Sequence, residues 1–187
     1  MLRSTPGSVD MGIATKTVYV LCGLPYAGKT TLAKRLFPEA FLIERDAFLE
    51  EINRDIEIQR CLEERAKQIN RPISNLSDSD WKNALNDAIS EEYCKRVTQT
   101  IQSSSATTIV VDGTHLQPLS RAFVRTIPLA KTIAIVLASD PEVCIQRYAQ
   151  DQRVGVRQTI TPKLIKRMVK VFCVPTLEEG FSEVRYL

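Results

Sequence analysis

Apolar residues along this chain fall into short runs separated by stretches of longer period. Thr17 to Cys22, Phe41 to Glu44, Thr108 to Asp112, Thr132 to Ala138 and a last run near Val184 to Leu187 are too short for buried helices and predict five strands. Between them the spacing becomes helical, at Lys29 to Phe37, roughly Asp46 to Ile69, Asp80 to Ile101, Leu119 to Thr126, Pro141 to Gln150 and Pro162 to Phe172. Asp140 before Pro141 and Thr161 before Pro162 set a capping side chain ahead of a first-turn proline, which marks two of these starts sharply. Strands alternating with helices mean a parallel sheet, whose ligands collect at the carboxyl ends of the strands. From Ile52 to Ser105 there is no strand pattern, and breaks fall at Arg71-Pro72 and between Asn75 and Asp78. That interval reads as a helical insertion beside the ligand edge.

At 187 residues the chain suits one domain, expected over residues 17–187 behind a loose tail of residues 1–16. The net charge of +3 does not by itself call for a nucleic-acid partner. Its distribution is uneven. Arg147, Arg153, Arg157, Lys163, Lys166, Arg167 and Lys170 face a single acid, Asp151, between Ile145 and Lys170. Such a cluster is either a solvated helix face or a source of positive charge for a polyphosphate. Five cysteines without paired spacing suggest neither disulfides nor a metal site, and small-hydrophobe packing is the expected role of Cys22, Cys94 and Cys144. With no signal-peptide core and no apolar run of membrane length, a cytoplasmic protein without a membrane or evident protein partner is expected.

The chemistry begins where the first strand ends. Gly23-Leu24-Pro25-Tyr26-Ala27-Gly28-Lys29-Thr30 satisfies G-x-x-x-x-G-K-[ST] between a strand and a helix, the context a phosphate cradle requires. These residues and the adjoining Thr31 are expected to bind the nucleotide, Lys29 reaching the β- and γ-phosphates and Thr30 holding Mg²⁺. Ile109-Val110-Val111-Asp112 is an apolar strand closed by a carboxylate, the form of a Walker B segment, so Asp112 is the second expected metal residue. Asp112-Gly113-Thr114 also matches half of an aspartate-based phosphatase motif, but Val110 stands where that chemistry needs a nucleophilic Asp. Asp46, just past the second strand, can serve as a general base, as a helix N-cap, or as both. His115, the sole histidine, follows a strand end, where substrate contact and loop packing are both open. Arg147, Arg153 and Arg157 precede and span Asp151 to Thr161, whose central Gly155 and polar flanks describe a lid carrying guanidinium groups to the phosphates.

With these residues placed, the chain resembles the P-loop polynucleotide 5′-hydroxyl kinases, as in the kinase domain of polynucleotide kinase-phosphatases, and more broadly the zeta-toxin-like and AAA-type ATP-binding kinases. Besides the phosphate loop, three blocks carry the likeness: Glu44-Arg45-Asp46; Asp112-Gly113-Thr114-His115-Leu116 with Arg121; and Phe172 to Phe181, containing Pro175-Thr176-x-x-Glu179-Gly180-Phe181. A turn at Gly180 and a core anchor at Phe181 account for the end of that tail. The resemblance implies ATP as donor, Lys29 and Thr30 on nucleotide and metal, and Asp46 as base. It also implies a lid arginine on the phosphates, with Arg153 the expected catalytic one and Arg147 and Arg157 open in its place, and Arg45, Thr114, His115 and Arg121 around the acceptor. The sequence departs from the family at His115 (often Asn), at Cys173 (Glu), and at Leu49, where a phage-type member has an arginine that holds a substrate phosphate.

The expected whole is an α/β, three-layer P-loop NTPase of kinase type, with a mostly parallel five-stranded sheet, a helical insertion and an arginine-bearing lid. The expected activity is transfer of the ATP γ-phosphate to a hydroxyl, foremost the 5′-hydroxyl of DNA or RNA. A related kinase of a small molecule, sugar nucleotide or aminoacyl-RNA is the alternative, and a non-catalytic ATP-binding switch a third reading. Tyr26, Phe48 and Trp81 are available either to stack on bases or to fill the core.

Overall fold

The computed structural model describes residues 15–52, 63–64, 67, 78–127, 129–151 and 160–187. Five strands, β1 (Thr17–Cys22), β2 (Phe41–Glu44), β3 (Thr108–Asp112), β4 (Lys131–Val136) and β5 (Glu183–Tyr186), form one sheet in the order β2-β3-β1-β4-β5. All four pairings are parallel, so the sheet is wholly rather than mostly so. Among the described residues the bounded α-helices are α1 (Lys29–Leu36), α2 (Arg45–Ile52), α3 (Asp78–Ser103), α4 (Pro141–Gln150) and α5 (Pro162–Val171).

A parallel sheet must be covered on both faces, and the period-2 alternation of each strand supplies two cores. Val18, Val20 and Cys22 of β1 join Ile109 and Val111 of β3 on one face, where they meet Tyr93, Val97 and Ile101 of α3 with Phe123 and Phe181. Leu21, Val110, Ile133 and Ile135 point the other way, onto Ala33 of α1, Cys144 of α4 and Ile165 of α5. The result is three layers with the central strand β1 buried from both sides.

Local chemistry sets the helix ends. Asp140 accepts from the Glu142 amide at 2.8 Å and Thr161 Oγ1 accepts from the Leu164 amide at 3.2 Å, each with proline at the first helical position. Lys16 Nζ closes the far end of α3 by donating to the carbonyls of Ile101 and Gln102 at 2.7 and 3.0 Å.

The helix expected at Leu119 to Thr126 is instead a 3-10 helix, Pro118–Thr126. Its three-residue repeat sets Arg121 and Val124 on one buried side, and Arg121 is fixed there by partners outside the segment. Of the helical insertion, α3 is described and begins two residues earlier than expected. The stretch 53–62, its continuation through 65–66 and 68–77, and most of the expected lid at 152–159, with Arg153, Gly155 and Arg157, lie outside the described residues.

Candidate active site

The phosphate loop is held open by its own backbone. An added Cβ at Gly23 would come within 2.9 Å of the Leu137 carbonyl oxygen, so the chain can pass β4 only as glycine. The Gly23 amide donates to Thr114 O at 3.0 Å, which ties the loop to the end of β3. Gly28, at φ +93°, caps α1 without a side chain and leaves the first-turn amides for an external acceptor.

Lys29 is buried, its ammonium donating to the carbonyls of Gly23 at 3.1 Å and Leu24 at 2.6 Å. Burial lowers its pKa from the usual lysine range. The negative field of Asp112 opposes that shift, with Cys144 and Asp46 acting in the same sense behind it. Asp46 therefore shares an electrostatic environment with Lys29. The sheet explains why: Glu44 pairs in register with Asp112, so Asp46, two residues on, stands at the same carboxyl edge. It is solvent-exposed in the first turn of α2.

Thr30 donates from Oγ1 to Asp112 Oδ2 at 2.5 Å. A hydroxyl and a carboxylate oxygen brought together are the hard donors that Mg²⁺ accepts. Among the described residues no group of three or more His, Cys, Asp or Glu gathers for a metal. The pair thus fits an ion that takes its remaining oxygens from nucleotide and water.

Arg147 of α4 reaches the loop, donating to Tyr26 O at 3.0 Å, with Nη1 3.7 Å from the Cβ position of Gly28. Tyr26, at φ +62°, packs edge-on against Tyr148 with ring centroids 5.7 Å apart and donates its hydroxyl to Asp151 at 3.3 Å. The loop is thereby fastened to the base of the expected lid. Phe48 packs edge-on to Tyr93 in the core, 6.4 Å between centroids, and the side chain of Trp81 lies outside the described residues. Thr31 is exposed on α1, and Thr114, half-buried, meets the loop through its carbonyl.

Two residues expected at the acceptor lie elsewhere. His115 is fully buried, its Nδ1–H donating to Leu21 O at 2.8 Å and its Nε2 accepting from the Tyr93 hydroxyl at 2.9 Å. Desolvation pushes its pKa down to about 3, so the ring is neutral and joins β1, β3 and α3. Arg121, 1% exposed, holds Glu179 through two hydrogen bonds of 2.7 Å and donates from Nη1 to His115 O at 2.7 Å and Cys173 O at 3.1 Å. Both are consumed by the interior.

The same contacts account for the tail. Thr176 and Glu179 form a capping box on a short 3-10 turn, Leu177–Glu179, Gly180 ends it at φ +98°, and Phe181 is buried in the first core. Glu179, whose role is not evident from the sequence pattern, is the anion that neutralises Arg121. Burial lifts the Cys22 thiol to about 12 and raises those of Cys94 and Cys144, consistent with cysteines acting as apolar filler.

A family model described as an AAA domain matches residues 18–175. No curated protein sequence matches the chain. Among solved structures the chain is similar to a gluconokinase from Sinorhizobium meliloti, at 14% identity and TM-score 0.55, covering 92% of this chain and 82% of that one. It is similar also to a sugar kinase from a Janibacter species, at 20% identity and TM-score 0.54, with 91% and 85% covered. A structure from the PezAT toxin-antitoxin system of Streptococcus pneumoniae aligns at 17% identity and TM-score 0.53, over 92% of this chain and 66% of that one. At these identities the likeness is one of fold, and the fold is that of the α/β P-loop kinases.

Proposed function

The chain belongs to the AAA domain family, and on that premise we propose that it is an ATP-dependent kinase that phosphorylates a hydroxyl of a small molecule, with Asp46 as the general base. The observation that carries this reading is the meeting of three functions at one sheet edge: the loop with Lys29, the Thr30–Asp112 pair, and Asp46. A protein that only bound ATP would need the third for its helix start alone and for no proton transfer.

In the reaction the acceptor oxygen attacks the γ-phosphorus, the bond from that phosphorus to the bridging oxygen breaks, and ADP leaves. Asp46 takes the acceptor proton, a contribution of roughly 10²- to 10⁴-fold. Lys29 exchanges its carbonyl partners for phosphate oxygens, where a cation is worth more because the site is shielded from water. Thr30 and Asp112 would hold Mg²⁺, which when bound would neutralise charge on the phosphates. Arg147 stands at the loop already; Arg153 and Arg157, which lie outside the described residues, would add positive charge for the phosphates.

A small acceptor is preferred over a 5′-ended polynucleotide for two reasons. The gluconokinase and the sugar kinase share this fold. Moreover, Tyr26 and Phe48 are engaged in ring packing with Tyr148 and Tyr93 rather than presented as stacking platforms. The test is transfer from γ-labelled ATP with Mg²⁺ to a panel of sugars, sugar acids and nucleosides, beside a 5′-hydroxyl oligonucleotide. A labelled small-molecule ester that disappears in Lys29→Ala is expected. Label on the oligonucleotide alone would restore the polynucleotide reading, and ATP binding with transfer to no acceptor would leave a switch protein.

A further inference from the structure

Arg45 is a partly covered cation beside Asp46 that has no counter-charge among the described residues. It opens α2 immediately before Asp46. Its stem lies against Gly113, where an added Cβ would come within 2.9 Å of Arg45 Cδ and 3.0 Å of its Cβ, so the side chain crosses the end of β3. The guanidinium carbon stands 5.6 Å from the centroid of the Tyr93 ring. Its Nε is shielded from solvent and has no hydrogen-bond acceptor. Among the described residues no carboxylate lies in ion-pair range of it, whereas the other well-covered arginines, Arg96 and Arg121, each hold a glutamate.

The ring face offsets part of the lost hydration but leaves the covered Nε–H without an oxygen. Buried donors in folded proteins are otherwise almost always satisfied, and exceptions concentrate where a ligand completes them. The surroundings state what that ligand carries. An anionic acceptor beside Asp46 and Asp112 would need a cation to meet it; Lys29 and Arg147 serve the phosphate loop, and Arg45 is the cation next to Asp46.

We propose that Arg45 anchors an oxyanion of the acceptor, so that the substrate is an alcohol that also bears a carboxylate or a phosphate. The inference rests on the kinase reading of the neighbouring Asp46. A guanidinium pairs with either anion through two parallel N–H bonds, and holding the anion beside Asp46 would turn the hydroxyl toward that carboxylate.

The test is calorimetric, on protein saturated with ADP and Mg²⁺ so that the phosphate loop is filled. Two matched pairs are titrated: gluconate against glucose, and adenosine 3′-monophosphate against adenosine. At least one anion is expected to bind on the order of ten- to a hundredfold more tightly than its neutral partner. The pair that shows the preference names the oxyanion as carboxylate or phosphate. Arg45→Gln should bring the ratio close to one, and Arg45→Lys should recover part of it through charge alone. A ratio near one in the unaltered protein, complete absence of binding included, overturns the inference, as does a ratio that Arg45→Gln leaves intact. Thermal unfolding separates a packing role: removing an unpaired covered charge should leave the melting temperature unchanged or higher. A lower melting temperature with the preference retained would make Arg45 a scaffold residue. Because phosphate transfer is not part of the readout, selective binding without turnover would sink the kinase reading and leave the Arg45 subsite. Turnover without anion preference would do the reverse.

Discussion

Two polar clusters meet around the carboxyl end of β3, and they have opposite fates. One gathers Arg45, Asp46, Lys29 and Asp112 at the open edge of the sheet. The other gathers His115, Tyr93, Arg121 and Glu179 a few residues on. In the second every donor aimed inward meets an acceptor, and Arg121 alone makes four hydrogen bonds. In the first the lysine falls back on the carbonyls of its own loop and the arginine on a ring face. Completeness of partners, rather than residue type or burial, separates scaffold from site: a finished network rigidifies the fold, and an unfinished one is held ready for a ligand.

The largest effect that would sharpen this contrast is expected from Lys29→Ala, which should reduce transfer from labelled ATP by about 10³-fold or more while leaving the unfolding midpoint nearly unchanged. The scaffold cluster should respond the other way. Arg121→Ala or Glu179→Ala strands a covered charge and is expected to cost about 3–5 kcal/mol in urea unfolding. At temperatures where the variant is still folded, its transfer rate per folded molecule should match that of the parent. A rate loss that exceeds the loss of folded protein would return Arg121 to the acceptor site.

His115 gives a pH signature. Its pKa is about 3 in the fold against 6.5 ordinarily, so as pH falls below about 6.5 the unfolded chain takes up a proton that the folded chain refuses. Stability is therefore lost on acidification between about pH 6.5 and 3, by at most about 1.4 kcal/mol per pH unit from this group. His115→Asn should flatten urea-derived stability by that amount between pH 6 and pH 4, whatever it costs at pH 7. An unaltered slope would contradict the buried neutral ring. The smallest effect is expected from Gly180→Ala, where a side chain must adopt φ +98° to end the capping turn, at a cost of about 1 kcal/mol. Thermal melting of that variant checks it.

The elements were legible where local chemistry bounds them. β1, β2 and β3 stop just before Gly23, Arg45-Asp46 and Gly113, which break an apolar run, and α4 starts at Pro141 behind its cap Asp140; all four match the expected starts and ends. β4 and β5 shifted by a residue or two because their ends carry no such punctuation. The 3-10 helix was not legible, since its geometry answers to Arg121, whose anion lies 58 residues downstream. For the same reason His115 and Arg121 resembled substrate residues: a histidine and an arginine after a Walker B strand have the same sequence appearance in either role. Tyr93, which occupies the His115 ring, lies 22 residues upstream on another element. A partial signal was present in Thr176-x-x-Glu179, the spacing of a capping box, which placed a rigid turn there without showing what it held.

The claim that the cluster at the sheet edge carries out phosphate transfer is tested most directly on Asp46→Asn, with transfer rate and thermal unfolding read on one preparation. The account predicts transfer lowered by roughly 10²- to 10⁴-fold, and a melting temperature lowered by no more than about 3 °C, the scale of one first-turn carboxylate on a helix. A variant that transfers phosphate at the parent rate, or that loses activity only in proportion to its loss of folded protein, would contradict it.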